Sequence, residues 1–279
     1  MNLLISKTLG FCKGVDRAYK LALKTASKGE PTYMLGYLVH NSKVIEELQQ
    51  KGVVTVKDLK DIPKGAKGYL MISAHGVSPE VMEKAMKTGL TVIDTTCPWV
   101  KKPQMMAKQL ADEGWHIVIV GDKDHTEVKG IVGWSGGRAQ VVQDVKEAGK
   151  VAHHDRIAVI AQTTQSRKNF EDVINELLPK AGELKICDTI CEATSRMQRS
   201  AEDTARKAEI MLVIGDKKSA NTRRLKELCE GTGAKTFQIE SADDLDLNIL
   251  KGFDMIGLTA GASTPANVID AVVKKVKGY

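Results

Sequence analysis

Three cysteines divide this chain into three copies of one pattern. Cys12 in LGFCKGVDRAYKLA, Cys97 in TTCPWVKKPQMMAKQL and Cys191 in TICEATSRMQRSAEDTA each head a helix-like stretch. A glycine closes a strand-like apolar run 24 residues after each: Gly36 (TYMLG), Gly121 (HIVIVG) and Gly215 (MLVIG). A polar loop and a second helical stretch follow, in YLVHNSKVIEELQQKG, DKDHTEVKGIVGWSGG and DKKSANTRRLKELCEG. Another glycine (Gly52, Gly137 or Gly231) comes 16 residues beyond the first. Each copy then returns through a short strand, VVTV, AQVV or KTFQI, and an acidic turn to a closing strand, GYLMISAHG, RIAVIAQTT or MIGLTAGAS. A repeat of this size overrides the reading from length alone, which at about 100–200 residues per domain would suggest two.

Apolar strands alternating with helices make βαβ units, parallel strands covered by helices. The expected fold is therefore α/β, in three similar small lobes with parallel sheets. The boundaries fall near the cysteines: 13–96, 97–190 and 191–279, with residues 1–12 and their strand (2–6) completing the third lobe. Ligands of such sheets bind outside the carboxyl ends of the strands, where the unusual polar residues of every copy lie. Copies packed about a pseudo-threefold axis would bring those loops to one central cleft.

Composition narrows the function classes. With 42% hydrophobic and 27% charged residues the chain can bury a sizeable core, and with 4% aromatics aliphatic side chains must fill it. The first apolar run is too short for a signal peptide, and none reaches the 18 or so residues of a membrane span. A cytoplasmic protein is expected, with no membrane partner. The net charge of +6 is interleaved along helices and forms no basic arm, so no nucleic-acid partner is expected. A mild positive excess suits a small anion or an acidic partner.

Five scattered cysteines do not make a disulfide framework. Three of them share a register at helix starts, where the dipole and free N–H groups favour thiolate, and three thiols in register point to a metal. Cys229, in RRLKELCEG, reads as core, and Cys187 as a strand-end residue. Three thiolates suit zinc with a water. They equally suit an iron–sulfur cluster with one iron left open, since clusters ordinarily take four cysteines. A zinc hydrolase of phosphate esters and a cluster-binding sensor are therefore alternatives at this point. Against a bare sensor stands a lining suited to an anion: His40, Asn41 and His75 in the first copy, His125, Thr163 and Thr164 in the second, and Ser219, Asn221 and Ser263 in the third. His116, His153 and His154 fall outside these loops and read as surface residues. Glu127, two residues after His125, is either a first-turn residue favoured by the helix dipole or, in a closed cleft, a proton donor near neutral pH.

The stretches GFCKGV, LVHN, SAHGV, DTTCPWV, GDKDHTE, AQTTQS, DTICEATSRMQ, GDKKSANTRRL and TAGASTP give the chain a resemblance, over nearly its whole length, to the 4-hydroxy-3-methylbut-2-enyl diphosphate reductases. That resemblance implies a trefoil-like arrangement of the lobes around one oxygen-sensitive 4Fe–4S cluster, held by Cys12, Cys97 and Cys191 with one iron open. It implies reductive removal of the allylic hydroxyl, giving isopentenyl and dimethylallyl diphosphates as the last step of the non-mevalonate route. It implies that His40, His75, Ser219, Asn221 and Ser263 hold the diphosphate, and that His125 binds or relays protons. Glu127 would deliver protons, Thr163 would position the hydroxyl or a water, and Thr164 would support that loop. The electron donor would be a ferredoxin or flavodoxin, and the protein a monomer or weak dimer. Two positions depart from the family pattern. Thr126 stands where His-Pro-Glu is common, and Ala220 where Ser-Ser-Asn is common.

Overall fold

The structure, a computed structural model, describes residues 2–278. In chain order, β1 (Asn2–Ile5) and α1 (Lys13–Ala26) lead to β2 (Thr32–Leu35), α2 (Ser42–Gln50), β3 (Val53–Val56), β4 (Tyr69–Ile72), α3 (Pro79–Met86) and β5 (Thr91–Asp94). Next come α4 (Pro98–Asp112), β6 (His116–Val120), α5 (Thr126–Trp134), β7 (Gln140–Val142), α6 (Val145–Ala148), β8 (His154–Ala161), α7 (Arg167–Leu177) and β9 (Ala181–Cys187). The last stretch holds α8 (Glu192–Ala205), β10 (Ile210–Ile214), α9 (Ala220–Gly231), β11 (Lys235–Ile239), β12 (Met255–Ala260) and α10 (Ala266–Lys277).

The strands form three four-stranded sheets, ordered β3-β2-β4-β5, β7-β6-β8-β9 and β11-β10-β12-β1. Every pairing is parallel. The three parallel α/β lobes expected from the repeat are present, each with the same strand order. The repeated strand glycines do the same task in each: the N–H groups of Gly36, Gly121 and Gly215 donate to Val56, Val142 and Ile239 at 2.8, 2.9 and 2.8 Å. That bond locks the end of the first strand to the return strand.

Two details differ from the sequence reading. The third sheet has the extra strand expected from residues 2–6, but the other two also have fourth strands, β5 and β9, which were not legible because they are edge strands with no clean apolar alternation. Their residues are mostly exposed or half-buried. The turn glycine of the third copy is Gly233 (φ +91°), the counterpart of Gly52 (+86°) and Gly137 (+76°). Gly231 is instead the last residue of α9, which at 12 residues outruns the nine-residue α2 and α5.

The chain divides into two compact units. The first comprises the residues up to Asp16, His40–Val44 and Glu192 onward. Its central strand β10 is buried at every position, as a strand covered on both faces must be. Ile210, Leu212 and Ile214 pack with Leu258, Val272 and Val276 on one face. Met211 and Val213 pack with Met197, Leu225 and Cys229 on the other. Cys229 is the core residue it was expected to be.

The second unit comprises Arg17–Val39 and Ile45–Cys191. On one face of its β6 and β8, Val118, Val120, Ile157 and Val159 pack with Phe170, Val173 and Leu177. On the other, Ile117, Ile119, Ala158 and Ile160 pack with Leu110, Val128, Ile131 and Cys187. Helix α5 also meets the loop before α3: the Trp134 indole N–H donates to the Val77 carbonyl at 2.9 Å. Gly133 allows this approach, since a Cβ there would lie 2.3 Å from the Ser78 Cβ. His116 and His154 are half-buried rather than plain surface residues, with rings stacked 3.6 Å apart at 10°. Their neighbouring strands β6 and β8 bring them side by side. Among the described residues no helix is long and apolar enough to cross a membrane.

Candidate active site

The three cysteines in register occupy one structural station. Each immediately precedes a helix (α1, α4 or α8) and follows the fourth strand of a sheet. Each backbone N–H donates to the loop beyond a closing strand: Cys12 to Ala262 at 3.2 Å, Cys97 to Ala74 at 3.0 Å and Cys191 to Thr163 at 2.9 Å. Two residues before Cys97 and Cys191, the buried hydroxyls of Thr95 and Thr189 donate to Ile72 and Ala161. These threonines escaped the sequence reading, although the shared DTTC and DTIC strings were a signal. All five cysteines are free thiols.

The cysteines separate chemically. A helix N-terminus stabilises thiolate, and the Val15 N–H points at the Cys12 sulfur from 3.5 Å. Burial pushes the Cys187 thiol up and the Cys229 thiol up to about 12. Cys187 ends β9 and is buried, as a strand-end residue would be. Cys12, Cys97 and Cys191, each at a helix start, carry the soft sulfur that suits an iron–sulfur group or zinc.

The second unit joins His125 to Glu127. His125 is the N-cap of α5, and its Nδ1 accepts from the Glu127 N–H at 3.2 Å. In a neutral ring that accepts at Nδ1, the proton sits on Nε2. The His75 ring stands edge-on to it, centroids 5.3 Å apart. Glu127, only 2% exposed, is held twice by one residue: the Thr163 N–H donates to Oε1 at 2.7 Å and the Thr163 hydroxyl to Oε2 at 2.8 Å. Burial pushes the Glu127 carboxyl up to about 7; the two Thr163 bonds pull it down and the Asp122 charge adds to the rise. Glu127 is thus both a first-turn residue and a carboxyl poised at neutral pH. Thr163 also ties the pair to a cysteine station, since its carbonyl accepts the Cys191 N–H. Thr164 follows it, half-buried.

The first unit holds five of the residues expected to line an anion: His40, Asn41, Ser219, Asn221 and Ser263. Ser219 caps α9, its hydroxyl accepting from the Thr222 N–H at 3.3 Å. Asn41 accepts from the Val44 N–H at 3.2 Å at the start of α2. The Ser263 hydroxyl donates to the His40 carbonyl at 3.1 Å. Asn221 is 4% exposed, and both ends of its amide lack a hydrogen-bond partner. An unsatisfied buried polar group costs about 1–3 kcal/mol, so this side chain is built for something that supplies both partners. Behind it the backbone is tight: a Cβ on Gly261 would lie 2.2 Å from the Thr222 hydroxyl. Burial pushes the His40 imidazole down, opposed by Asp216 and assisted by Arg223 and Lys218. Ala220 is the buried first residue of α9 and presents no polar group.

The repeat's register relates these residues in sequence. His40, His125 and Ser219 each lie four residues past a strand glycine, and His75, Thr164 and Ser263 each lie three past a closing strand. Asp216 was missed. Its signal was the GDK string shared by the second and third copies.

The model of the family described as LytB protein matches residues 3–277. The 4-hydroxy-3-methylbut-2-enyl diphosphate reductase of Caldanaerobacter subterraneus subsp. tengcongensis is 41% identical over 280 residues, covering 99% of this chain and 97% of its own. That of Geobacter sulfurreducens is 40% identical over 279 residues, covering 100% and 98%. Among solved structures, the E-1-hydroxy-2-methyl-but-2-enyl-4-diphosphate reductase of Plasmodium falciparum superposes with a TM-score of 0.92 at 30% identity, over 98% of this chain and 86% of that one. A structure of (E)-4-hydroxy-3-methyl-but-2-enyl diphosphate reductase, the terminal enzyme of the non-mevalonate pathway, superposes with a TM-score of 0.70 at 36% identity over the full length of both. A family match across nearly every residue, joined to this repeat and fold, places the chain in the LytB protein family.

Proposed function

We propose that this chain reduces (E)-4-hydroxy-3-methylbut-2-enyl diphosphate to isopentenyl and dimethylallyl diphosphates. The family is one of iron–sulfur enzymes, and the residues that would hold a single 4Fe–4S cluster are Cys12, Cys97 and Cys191. Such a group, when bound, would supply the electrons and Lewis acidity for the reduction. Two electrons and two protons balance the reaction: the allylic C–O bond breaks, the hydroxide equivalent takes one proton to leave as water, and the allyl fragment takes the other. The observation that carries this reading is Glu127, a buried carboxyl held at both oxygens by Thr163 and pushed up to about 7 by burial.

The protein's own part is proton supply and anchoring. Glu127 holds the proton at its carboxyl, and the Thr163 hydroxyl, bonded to that carboxyl, positions the departing hydroxyl or a water. His125 offers its Nε2–H as a donor or relay. The diphosphate is held by His40, Asn41, His75, Ser219, Asn221 and Ser263, with Thr164 supporting its loop. Asn221 brings the two unsatisfied amide atoms an anion and its waters would meet. The lobes bearing these roles run 13–96, 97–190 and 191–279 with 1–12. The electrons come from a carrier protein such as a ferredoxin or flavodoxin.

An anaerobic assay with this substrate, dithionite and methyl viologen tests the reading, with the two product diphosphates as readout. Brown protein that leaves the substrate intact refutes the activity. Colourless, zinc-loaded protein that releases phosphate supports a hydrolase instead.

A further inference from the structure

Asp216 is a buried carboxylate, 9% exposed, among residues assigned above to an anion, where its charge opposes binding. Its two oxygens do different things. Oδ1 accepts from the Lys218 N–H at 2.7 Å, within its own loop, and the Asp216 carbonyl accepts from the Ser219 N–H at 3.0 Å, closing the same turn. Oδ2 reaches a remote segment and accepts from the Ser42 N–H at 3.2 Å. Ser42 opens α2, and its N–H is one of the donors a helix start leaves without an internal partner. From the other side Ser263 holds the same segment through the His40 carbonyl.

We infer that Asp216 is a positioning residue of the diphosphate site. Its carboxylate ties His40–Val44 to the Lys217–Asn221 loop, so that His40, Asn41, Ser219 and Asn221 meet the anion already arranged. The inference rests on the reading of those residues as the diphosphate site. Preorganisation of this kind raises affinity by removing the ordering cost from the binding step.

Tether and charge predict opposite signs. A lone negative charge beside an anion site weakens binding, so its removal tightens it. A tether strengthens binding, so its removal weakens it. Asp216→Ala and Asp216→Asn, prepared anaerobically as holoenzyme, separate the two. Pyrophosphate affinity is read by calorimetry, KM and kcat for the substrate by turnover, and amide exchange at residues 42–44 by mass spectrometry. The Ala variant is expected to weaken pyrophosphate and raise KM by about tenfold, which corresponds to about 1.4 kcal/mol. Its kcat should stay within about twofold, and exchange at 42–44 should quicken. The Asn variant keeps one acceptor oxygen, enough for Ser42 or Lys218 but not both, and should fall between the parent and the Ala variant in affinity. Tighter pyrophosphate binding in both variants, or no change in either, overturns the tether. So does a fall in kcat with cluster loss in the Ala variant, which marks a role in the fold at large. A parent protein that binds no pyrophosphate overturns the site reading itself, and the role with it, whatever the variants do.

Discussion

Replacing Glu127 with Gln removes one proton and little else. The amide oxygen can accept the Thr163 N–H as Oε1 does now, and the Thr163 hydroxyl can turn to accept from the new amide. General acid catalysis contributes about 10²–10⁴-fold, so turnover should fall by about that factor with KM within about threefold. In the parent the protonated carboxyl is the active form. Its turnover should therefore fall on the alkaline side with a midpoint of about 7, and the variant's residual turnover should lose that limb. Stability gives a second readout. The Glu127 carboxyl is raised from 4.5 to about 7 on folding. Its stabilising share is complete below about 4.5 and is lost as pH rises to about 7. At about 1.4 kcal/mol per pH unit, that loss comes to about 3 kcal/mol. The substituted amide cannot ionise, so urea unfolding should show the Glu127→Gln variant gaining on the parent by about 3 kcal/mol between acid and alkaline pH. Near-parental turnover in the variant, or a stability difference that stays flat across this range, refutes the proton-donor argument.

Three further outcomes follow from the same geometry. Cys97→Ser should abolish or destabilise the cluster by anaerobic iron and sulfide analysis, whereas Cys229→Ser, in a fully buried core position, should keep full cluster content while lowering the melting temperature. Asn221→Ala should weaken pyrophosphate inhibition by about tenfold or more, the cost of losing a hydrogen bond to a charged group, with an unchanged cluster spectrum. Gly133→Ala should cost about 1–3 kcal/mol by overpacking against Ser78, and a second change, Ser78→Gly, should restore most of it in thermal melts.

The repeat made most of this fold legible because its signals are local. A glycine ending an apolar run, a helix start after a polar loop and a cysteine before a helix each depend on a few neighbouring residues. The edge strands β5 and β9 were not legible because an edge strand buries little and so carries no apolar pattern. The site was legible as positions rather than as energetics. His125 and Glu127 stood out by spacing, but the doubled Thr163 contact that accompanies the burial of Glu127 spans 36 residues and leaves no sequence trace. Asp216 was lost for a similar reason: its partner Ser42 lies 174 residues away, and a lone aspartate after GD-type turns ordinarily serves only its own loop.

The pairing of β1 with β12 has a cost in time. Leu3 lies beside Ile256 and Ile5 beside Leu258, so β1 waits for a partner synthesised about 250 residues later. At about 5–20 residues per second the wait is on the order of 10–50 seconds. The sheets holding β2 to β5 and β6 to β9 are each encoded in one unbroken stretch and can close as they emerge. The remaining sheet closes only after release of the β12 segment, through a pairing of the most non-local kind, which is intrinsically slow. During that interval the NLLI strand has its apolar side chains and its whole backbone edge unclaimed, an open template for another chain. Yield on refolding should therefore depend on protein concentration, and the limiting event should be the docking of the N-terminal strand.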